Sequence, residues 1–453
     1  MAAEGESVAK APGSDRVVFV PYGVPGDELT VQIGEQKKNF AHGRILSVER
    51  PGADRIDPPC PYHFRPTAPS PQRPNAPHCG GCDWQQFAYE SALRLKREIV
   101  LDCLKRIGRL ETTVLPTLAS PQKTRYRNKV QVPFGRQNGK IVAGFYQPGS
   151  HSIVDFDDCL VQPELSVRIV RKVKQLAGPL EWKPYDSATH TGWLRHLFVR
   201  TNSSGKAIAA FITRTPQFPG EARAVQELTA AFPELVSIQQ NVQSEKTSVI
   251  LGPHWRKLWG QDTIEETIGK VKLVASPGAF LQVNTGATEL LYGTAEAFLL
   301  SDGFRPSTLL DLYSGVGAIA LWLAPKASKV IGVEEVPQAV VDAIANAKRN
   351  NARNVTFIRS TSEAYFRSKY ARQLPKYSAA VLDPPRAGCE PHVLRSLARS
   401  GVDRIVYVSC NPSTFARDAR ILCDHRFRLQ RIQPVDLFPQ TSHVELVALF
   451  DAD

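Results

Sequence analysis

No stretch of this chain approaches the ~20 consecutive apolar residues that a membrane-spanning helix needs. Its opening residues, MAAEGESVAKAPGSDR, hold no apolar core of a secretory signal and no Arg/Ser-rich transit pattern. Both absences point to a soluble cytoplasmic protein. No internal repeat is visible. There are eight cysteines, and in a cytosolic chain of 453 residues they are not expected to form a disulfide framework. Metal binding or chemistry explains clustered ones better. Acidic residues fall short of basic ones, 44 against 56, leaving a net charge of +12. Such a balance suits a polyanionic partner, because neutralised phosphates release counterions. It also suits a basic enzyme with no nucleic-acid role. The length allows two to four domains of the usual ~100–200 residues.

Residues 17–48 read as short strands broken by the turn PYGVPGD, the pattern of a small β-barrel. Residues 51–78 carry nine prolines and almost no periodicity, so they read as loop. From Phe87 to Leu110, apolar residues recur near helical spacing, and one amphipathic helix is expected. Residues 120–265 are mostly strand-like, with helices expected near 162–176 and 220–231, an α+β domain. From 268 onward, apolar strands alternate with helical patterns, which implies βαβ units and a mostly parallel, doubly wound sheet. The last strand, HVELVALF, is expected to close an antiparallel edge hairpin with FRLQRIQPVD.

The segment LLDLYSGVGAIAL (309–321) is a strand, a Gly315-x-Gly317 turn and a helix start. Two glycines let the backbone pass close to a ligand at a helix N-terminus. The next strand ends on Glu334, 19 residues after Gly315, where a carboxylate can accept from ribose hydroxyls. The third glycine of a dinucleotide fingerprint is missing. S-adenosylmethionine, which has no pyrophosphate to cradle, is therefore the favoured ligand; a tight βα turn without a ligand is the alternative. Asp383 follows the apolar segment AAVL at the carboxyl end of a presumed central strand, where open α/β sheets bind ligands. A helix-cap or turn role is its alternative.

Cys410 ends the strand VYVS, one or two strands from Asp383. Asp311, Asp383 and Cys410 should thus converge on one rim. A thiolate beside a sulfonium donor suggests one chemistry in particular. Uracil C5 is a poor nucleophile, but thiolate addition at C6 turns the ring into an enolate whose C5 can take a methyl group. A carboxylate must then remove the C5 proton. Glu445, flanked by apolar residues in HVELVALF, can do so, and burial would raise its pKa. An inert core cysteine is the competing reading of Cys410.

SCNPSTFARD, DPPRAG, DLYSGVG, FLQVN and the terminal DLFPQTSHVELVALF together resemble the RNA 5-methyluridine (uracil-C5) methyltransferases over nearly the whole chain. The resemblance implies Cys410 as nucleophile and Glu445 as base. It implies cofactor contacts at Gln282, Tyr313, Gly315, Gly317, Glu334, Thr361 and Asp383. Ala318 departs from a polar Asn, and Thr361 from an Asp or Asn that holds the adenine; weaker or water-mediated cofactor contact would follow.

Cys79-Gly-Gly-Cys82, with Cys60 upstream and Cys159 downstream, could by residue type hold zinc or a [4Fe–4S] cluster, or the CxxC could be a redox pair. The family subset resembling CPYHF…HCGGCDWQQ…SHSIVDFDDC implies a [4Fe–4S] cluster on these four. A Pro-rich insertion, Arg65 to Pro77, departs from that subset, and long loops cost little closure entropy. Cys103, Cys389 and Cys423 read as bystanders. TRYRNKVQV places Arg125, Arg127 and Lys129 at period two, on one strand face that could grip phosphate or simply be solvated. HLFVR (196–200) adds aromatic and basic character. The N-terminal barrel resembles a TRAM domain, with the match beginning at GESVAK and the strand that usually precedes it expected to be missing.

The expected architecture is thus a Rossmann-like S-adenosylmethionine-dependent methyltransferase domain (85–116 and 267–453), a TRAM-like β-barrel (1–51) and an iron–sulfur α+β central domain (52–84 and 117–266). The expected partner is RNA, with large-subunit ribosomal RNA favoured and tRNA second. The target base must leave its stack to reach Cys410. No membrane and no obligatory protein partner are expected. One rival is a non-catalytic iron–sulfur RNA-binding protein. Another is a cytosine-C5 methyltransferase, which uses a Thr-Cys nucleophile and a Pro-Cys pair, where this chain has Asp383-Pro-Pro-Arg.

Overall fold

The computed structural model of the chain describes residues 1–10, 13, 16–66, 77–368 and 374–453. Most of the Pro-rich insertion therefore lies outside the described residues.

Strands β1 (Ser7–Lys10), β2 (Val17–Val20), β3 (Glu28–Gln36) and β4 (Phe40–Arg50) form a four-stranded sheet in the order β1-β2-β4-β3. β1 is additional to the expected strands. It is short and half polar, so period-two patterning does not reveal it. Val18, Val20, Ile45 and Phe64 form its core, so the loop after the sheet supplies one wall.

Helix α1 (Tyr89–Cys103) runs into a wider turn at Leu104–Gly108, and the chain leaves through Arg109 at φ 50°. Its inward stripe includes Lys96 among Ala92, Leu95, Ile99 and Val100. Strand β5 (Thr113–Val114) follows.

The central sheet contains β6 (Lys129–Gln137), β7 (Lys140–Tyr146), β8 (Ile153–Asp155), β9 (Leu194–Thr201), β10 (Ala207–Thr213), β11 (Leu235–Val242) and β12 (His254–Gly260). Their order is β12-β11-β10-β9-β6-β7-β8. Helices α2 (Glu164–Ala177) and α3 (Glu221–Ala231) supply residues to the same core as the sheet. Two basic segments differ from their sequence reading. Arg125 and Arg127 precede β6, and Arg125 sits at φ 56°, so alternation does not put them on a strand face. Arg125 instead pairs with Asp158 at 2.8 Å and donates to the Cys159 carbonyl at 2.7 Å. HLFVR lies in β9, whose every residue is buried; Arg200 donates inward to the Ala279 carbonyl at 2.7 Å.

The hairpin β13 (Ile264–Ile268) and β14 (Val271–Ala275) leads into α4 (Thr285–Leu299), capped by Asn284. Then β15 (Thr308–Leu312), α5 (Ala318–Leu323), β16 (Lys329–Glu334), α6 (Pro337–Arg349), β17 (Val355–Arg359), α7 (Ser362–Arg367), β18 (Ser378–Leu382), α8 (Pro391–Arg399), β19 (Val402–Ser409), α9 (Pro412–Cys423), β20 (Phe427–Val435) and β21 (Glu445–Ala452) alternate. The sheet order is β17-β16-β15-β18-β19-β21-β20-β5. β17 to β19 run parallel, and β21 is antiparallel to both its neighbours. The terminal hairpin is not the edge: β5 pairs parallel with β20 and covers it. Val100, Leu104 and Val114 join the core of this sheet, so the segment around α1 packs with the last third of the chain.

Candidate active site

The turn after β15 enters left-handed backbone at every second residue: Tyr313 at φ 66°, Gly315 at 54° and Gly317 at 83°. The two glycines face different surroundings. A Cβ on Gly315 would meet nothing within 4 Å, whereas one on Gly317 would lie 2.5 Å from the Phe357 ring. Gly315 thus leaves space open above the turn, and Gly317 is demanded by packing. Glu334, at the end of β16, accepts from the Gly315 amide at 2.9 Å and from the Val336 amide at 2.8 Å. Each carboxylate oxygen keeps a further lone pair for a hydroxyl donor. Gly315 and Glu334 border a cavity of about 750 Å³, whose far wall is Trp255 and Lys257 of β12 with the exposed Phe280.

Gln282 is buried two residues beyond Phe280. Thr361 is exposed, and its Oγ1 accepts from the Ala364 amide at 3.1 Å as the cap of α7. Tyr313 is half-buried; burial, then the neighbouring Cys389, pushes its phenol upward. Asp311 is buried inside β15, with one oxygen accepting from the Ala320 amide at 2.9 Å and the other unpartnered. Burial and then Asp383 raise its pKa well above the ordinary carboxylate range.

Register settles which rim residues meet. Leu382 pairs with Tyr407, and Ser409 pairs with Leu446. Asp383, Cys410 and Glu445 therefore occupy adjacent ends of β18, β19 and β21. Cys410 is half-buried, and the Asn411 side chain caps α9 behind it, accepting from the Ser413 amide at 3.0 Å. Asn411 also donates to the Arg386 carbonyl at 3.1 Å, which ties the loop after Asp383 to the cysteine turn. A cavity of about 410 Å³ opens at Cys410, bordered by Arg386, His443, and Ala3 and Glu4 of the N-terminal segment. Arg386 Nη2 lies 3.1 Å from His443 Nδ1.

Burial pushes the Cys410 thiol up to about 12, with Glu445 and Asp383 adding to the effect and the Arg386 guanidinium opposing it. Burial, then Asp383, lifts Glu445 well above the carboxylate range, and one of its oxygens is buried without a partner. Burial alone raises Asp383 to about 7. Three acids whose charged forms are disfavoured gather at one strand-end rim, a pattern suited to proton and charge movement. Arg386, His443 and the buried Tyr292 were absent from the sequence reading of this rim. Arg386 directly follows the Asp-Pro-Pro of the rim strand, a signal that could have found it. Tyr292 feels Asp383, Asp311 and Glu445 from α4, and nothing in its local sequence announces that.

Cys60, Cys79, Cys82 and Cys159 line one cavity of about 540 Å³ together with Thr441, Ser442 and His443. Burial pushes the Cys79 thiol up to about 11, with Cys159 and Cys60 contributing. It raises Cys60, Cys82 and Cys159 as well. All four are free thiols. Among the described residues, no three His, Cys, Asp or Glu side chains are placed to hold a single metal ion. Cys389 is buried against Tyr407, and Cys103 lies beside Ser413.

A mostly parallel sheet with a glycine turn after one strand, an acid ending the next and a cavity above both is an arrangement that suits an adenosine-containing cofactor. Residues 270–452 match the family tRNA (Uracil-5-)-methyltransferase, and residues 2–46 match the TRAM domain. An uncharacterized RNA methyltransferase of Halalkalibacterium halodurans is 39% identical over 450 residues, 99% of this chain and 94% of that one. One of Listeria innocua is 37% identical over 447 residues, covering 98% and 94%. The crystal structure of the Pyrococcus abyssi tRNA (uracil-54, C5)-methyltransferase, in complex with S-adenosyl-L-homocysteine, superposes with a TM-score of 0.75 at 26% identity, covering 99% of this chain and 97% of that one. This chain belongs to the RNA uracil-5-methyltransferase family: it is an RNA methyltransferase with an N-terminal TRAM domain and S-adenosylmethionine as its methyl donor. Among the described residues no helix is long and apolar enough to cross a membrane.

Proposed function

We propose that the enzyme methylates uracil C5 in RNA, with large-subunit ribosomal RNA as the favoured target, through a covalent bond between Cys410 Sγ and uracil C6. The reading rests on one observation: the register of β19 with β21 sets Cys410 beside Glu445, with Asp383 on the next strand. Arg386 favours the thiolate of Cys410 against the two carboxyl groups. Addition of that thiolate to C6 moves the C5=C6 electron pair onto C5 and O4. Once C5 carries the methyl group, Glu445 accepts the C5 proton, the ring double bond re-forms and Sγ leaves with its electron pair. Gly315, Gln282, Tyr313, Glu334, Thr361 and Asp383 would hold S-adenosylmethionine, which would supply the electrophilic methyl group and a positive charge that favours ionised carboxylates. The space open above Gly315 and the free lone pairs of Glu334 fit it.

Cys60, Cys79, Cys82 and Cys159 would hold a [4Fe–4S] cluster. The all-thiol donor set gathered around one cavity of about 540 Å³ supports that reading. Its chemistry there would be structural, since methyl transfer needs no electron. A second reading keeps the reaction but moves it to tRNA, and the likeness to the Pyrococcus tRNA enzyme favours it. RNA containing 5-fluorouridine discriminates the mechanism, because C5 then has no proton to lose. A denaturation-resistant protein–RNA adduct is expected with the native chain and none with Cys410→Ala; an adduct that survives that substitution refutes the nucleophile. Mapping 5-methyluridine in ribosomal and transfer RNA of a deletion strain assigns the target.

A further inference from the structure

Away from both cavities of the catalytic domain, a groove of about 680 Å³ crosses the central domain. Three pieces of chain contribute cations to it. The β6–β7 hairpin gives Arg136 and Lys140, α2 gives Arg171 and Lys174 one turn apart, and the segment after α2 gives Lys183. Two carboxylates, Asp157 and Glu181, face the five cations. Lys174 is already paired with Asp155 at 2.6 Å. Arg136, Lys140, Arg171 and Lys183 make no ion pair among the described residues, and all four are exposed.

Unpaired cations gathered in a concave surface repel one another unless an anion joins them. The floor indicates which anion. Trp182 lines the groove but is fully buried, and Ile141 is only partly exposed, so no aromatic face is offered for base stacking. The groove can therefore read phosphates and not bases. Asp157 borders the groove, its chain neighbours Phe156, Asp158 and Cys159 line the four-cysteine cavity, and that cavity shares Ser442 and His443 with the Cys410 cavity.

We infer that this groove is a sequence-independent docking site for the phosphate backbone of the substrate RNA, outside the nucleotides that enter the Cys410 cavity. It rests on the family's RNA substrate, not on the Cys410 chemistry. Its consequence is a preference for long, structured RNA over short uridine-containing oligonucleotides.

The test is charge reversal in the full chain, Lys140→Glu with Arg171→Glu, against the conservative pair Lys140→Arg with Arg171→Lys. Both pairs lie on exposed positions, and an unchanged Tm confirms folding. Binding is measured with a fluorescent large-subunit ribosomal RNA transcript, with a short uridine oligonucleotide and with inorganic phosphate, across a salt series. The reversed pair is expected to weaken transcript binding about tenfold or more and to flatten the log–log salt slope by about 1.4–1.8, two phosphates' worth. The conservative pair should bind like the native chain, and the short oligonucleotide should not distinguish any of them. Unchanged transcript affinity overturns the inference. So does loss of phosphate binding alone, which would mark a small-anion site, or an equal loss on the short oligonucleotide, which would mark a general field. A native chain that binds the transcript through this groove yet forms no 5-fluorouridine adduct would refute the proposed mechanism and leave the groove standing.

Discussion

Cys410 and Glu445 share a short stretch of rim, and their burial makes opposite demands on them. Burial raises the pKa of both, yet the proposed mechanism needs one as a thiolate and the other as a carboxylate. In that mechanism the order of charge movement resolves this: the thiol would give up its proton for addition, and Glu445 would be needed ionised only afterwards. Glu445→Gln should leave addition and methyl transfer intact and block the final proton removal. Denaturing gels are expected to show an adduct on ordinary uridine RNA, with turnover reduced about 10²–10⁴-fold. Release of methylated RNA at the native rate would remove Glu445 from that role. Asp383 gives a separate signature. Its folded pKa is raised to about 7 from an ordinary value of 3.8. Between those values the folded state binds more protons than the unfolded state, so stability falls as pH rises through that window. The cofactor-free protein should melt at progressively lower temperature from pH 4 to about 7 on this group's account. Asp383→Asn should flatten that slope while weakening S-adenosylmethionine binding, and a parallel slope in the two proteins would contradict it.

Elements were legible in the sequence where one period dominates. The alternation of strands and helices after 268 stands out because buried parallel strands are continuous apolar runs and the helices between them are amphipathic. β1 was not legible, having four residues and one polar buried side chain, Ser7, which donates to the Gly23 carbonyl at 2.6 Å. Strand ends could place Cys410 and Asp383 on a common rim, but the neighbourhood of Glu445 depends on antiparallel register, which no local pattern encodes. Arg125 and Arg127 mislead because spacing alone does not show that the chain turns left-handed before β6. Lys96 is the clearest signal passed over. It sits in the apolar stripe of α1 and reaches Asp436 at 2.6 Å, both side chains 1% exposed, and the Phe438 carbonyl at 3.2 Å. Asp436 begins the loop that delivers Glu445. Lys96→Met leaves a buried carboxylate without its cation, at a cost of about 3–5 kcal/mol. Adding Asp436→Leu should recover most of the stability, measured by denaturant melts, but not the rate, because the Phe438 contact stays lost. A single variant as stable as the native chain would show that the pair does not hold this loop.

At the scale of the molecule, the residues from 438 to 444 are where the parts of the chain meet. Asp83, beside Cys82, accepts from the Ser442 amide at 2.9 Å, and Trp84 donates through its backbone to the Gln440 carbonyl at 3.1 Å. Tyr126 of the central domain donates to the Pro439 carbonyl at 2.8 Å. The N-terminal segment closes the same place, with Trp84 Nε1 on the Gly5 carbonyl at 3.0 Å and Ser442 Oγ on that of Glu4 at 3.3 Å. The segment that presents Glu445 is thus held by the residues following the Cys79–Cys82 pair. A ligand that binds only the folded arrangement of four thiols stabilises all of these contacts together. With the proposed cluster on these thiols, chelation of its iron, or Cys82→Ser, should therefore remove the iron and its visible absorption, lower Tm, and raise hydrogen exchange at 438–444 more than in the sheet of β15 to β19. The four cysteines are distant in sequence from Cys410, so the same treatment should slow adduct formation on 5-fluorouridine RNA without abolishing it. Loss of iron with exchange at 438–444 unchanged would mean that the cysteine cavity and the catalytic rim, although they share Ser442 and His443, are mechanically independent.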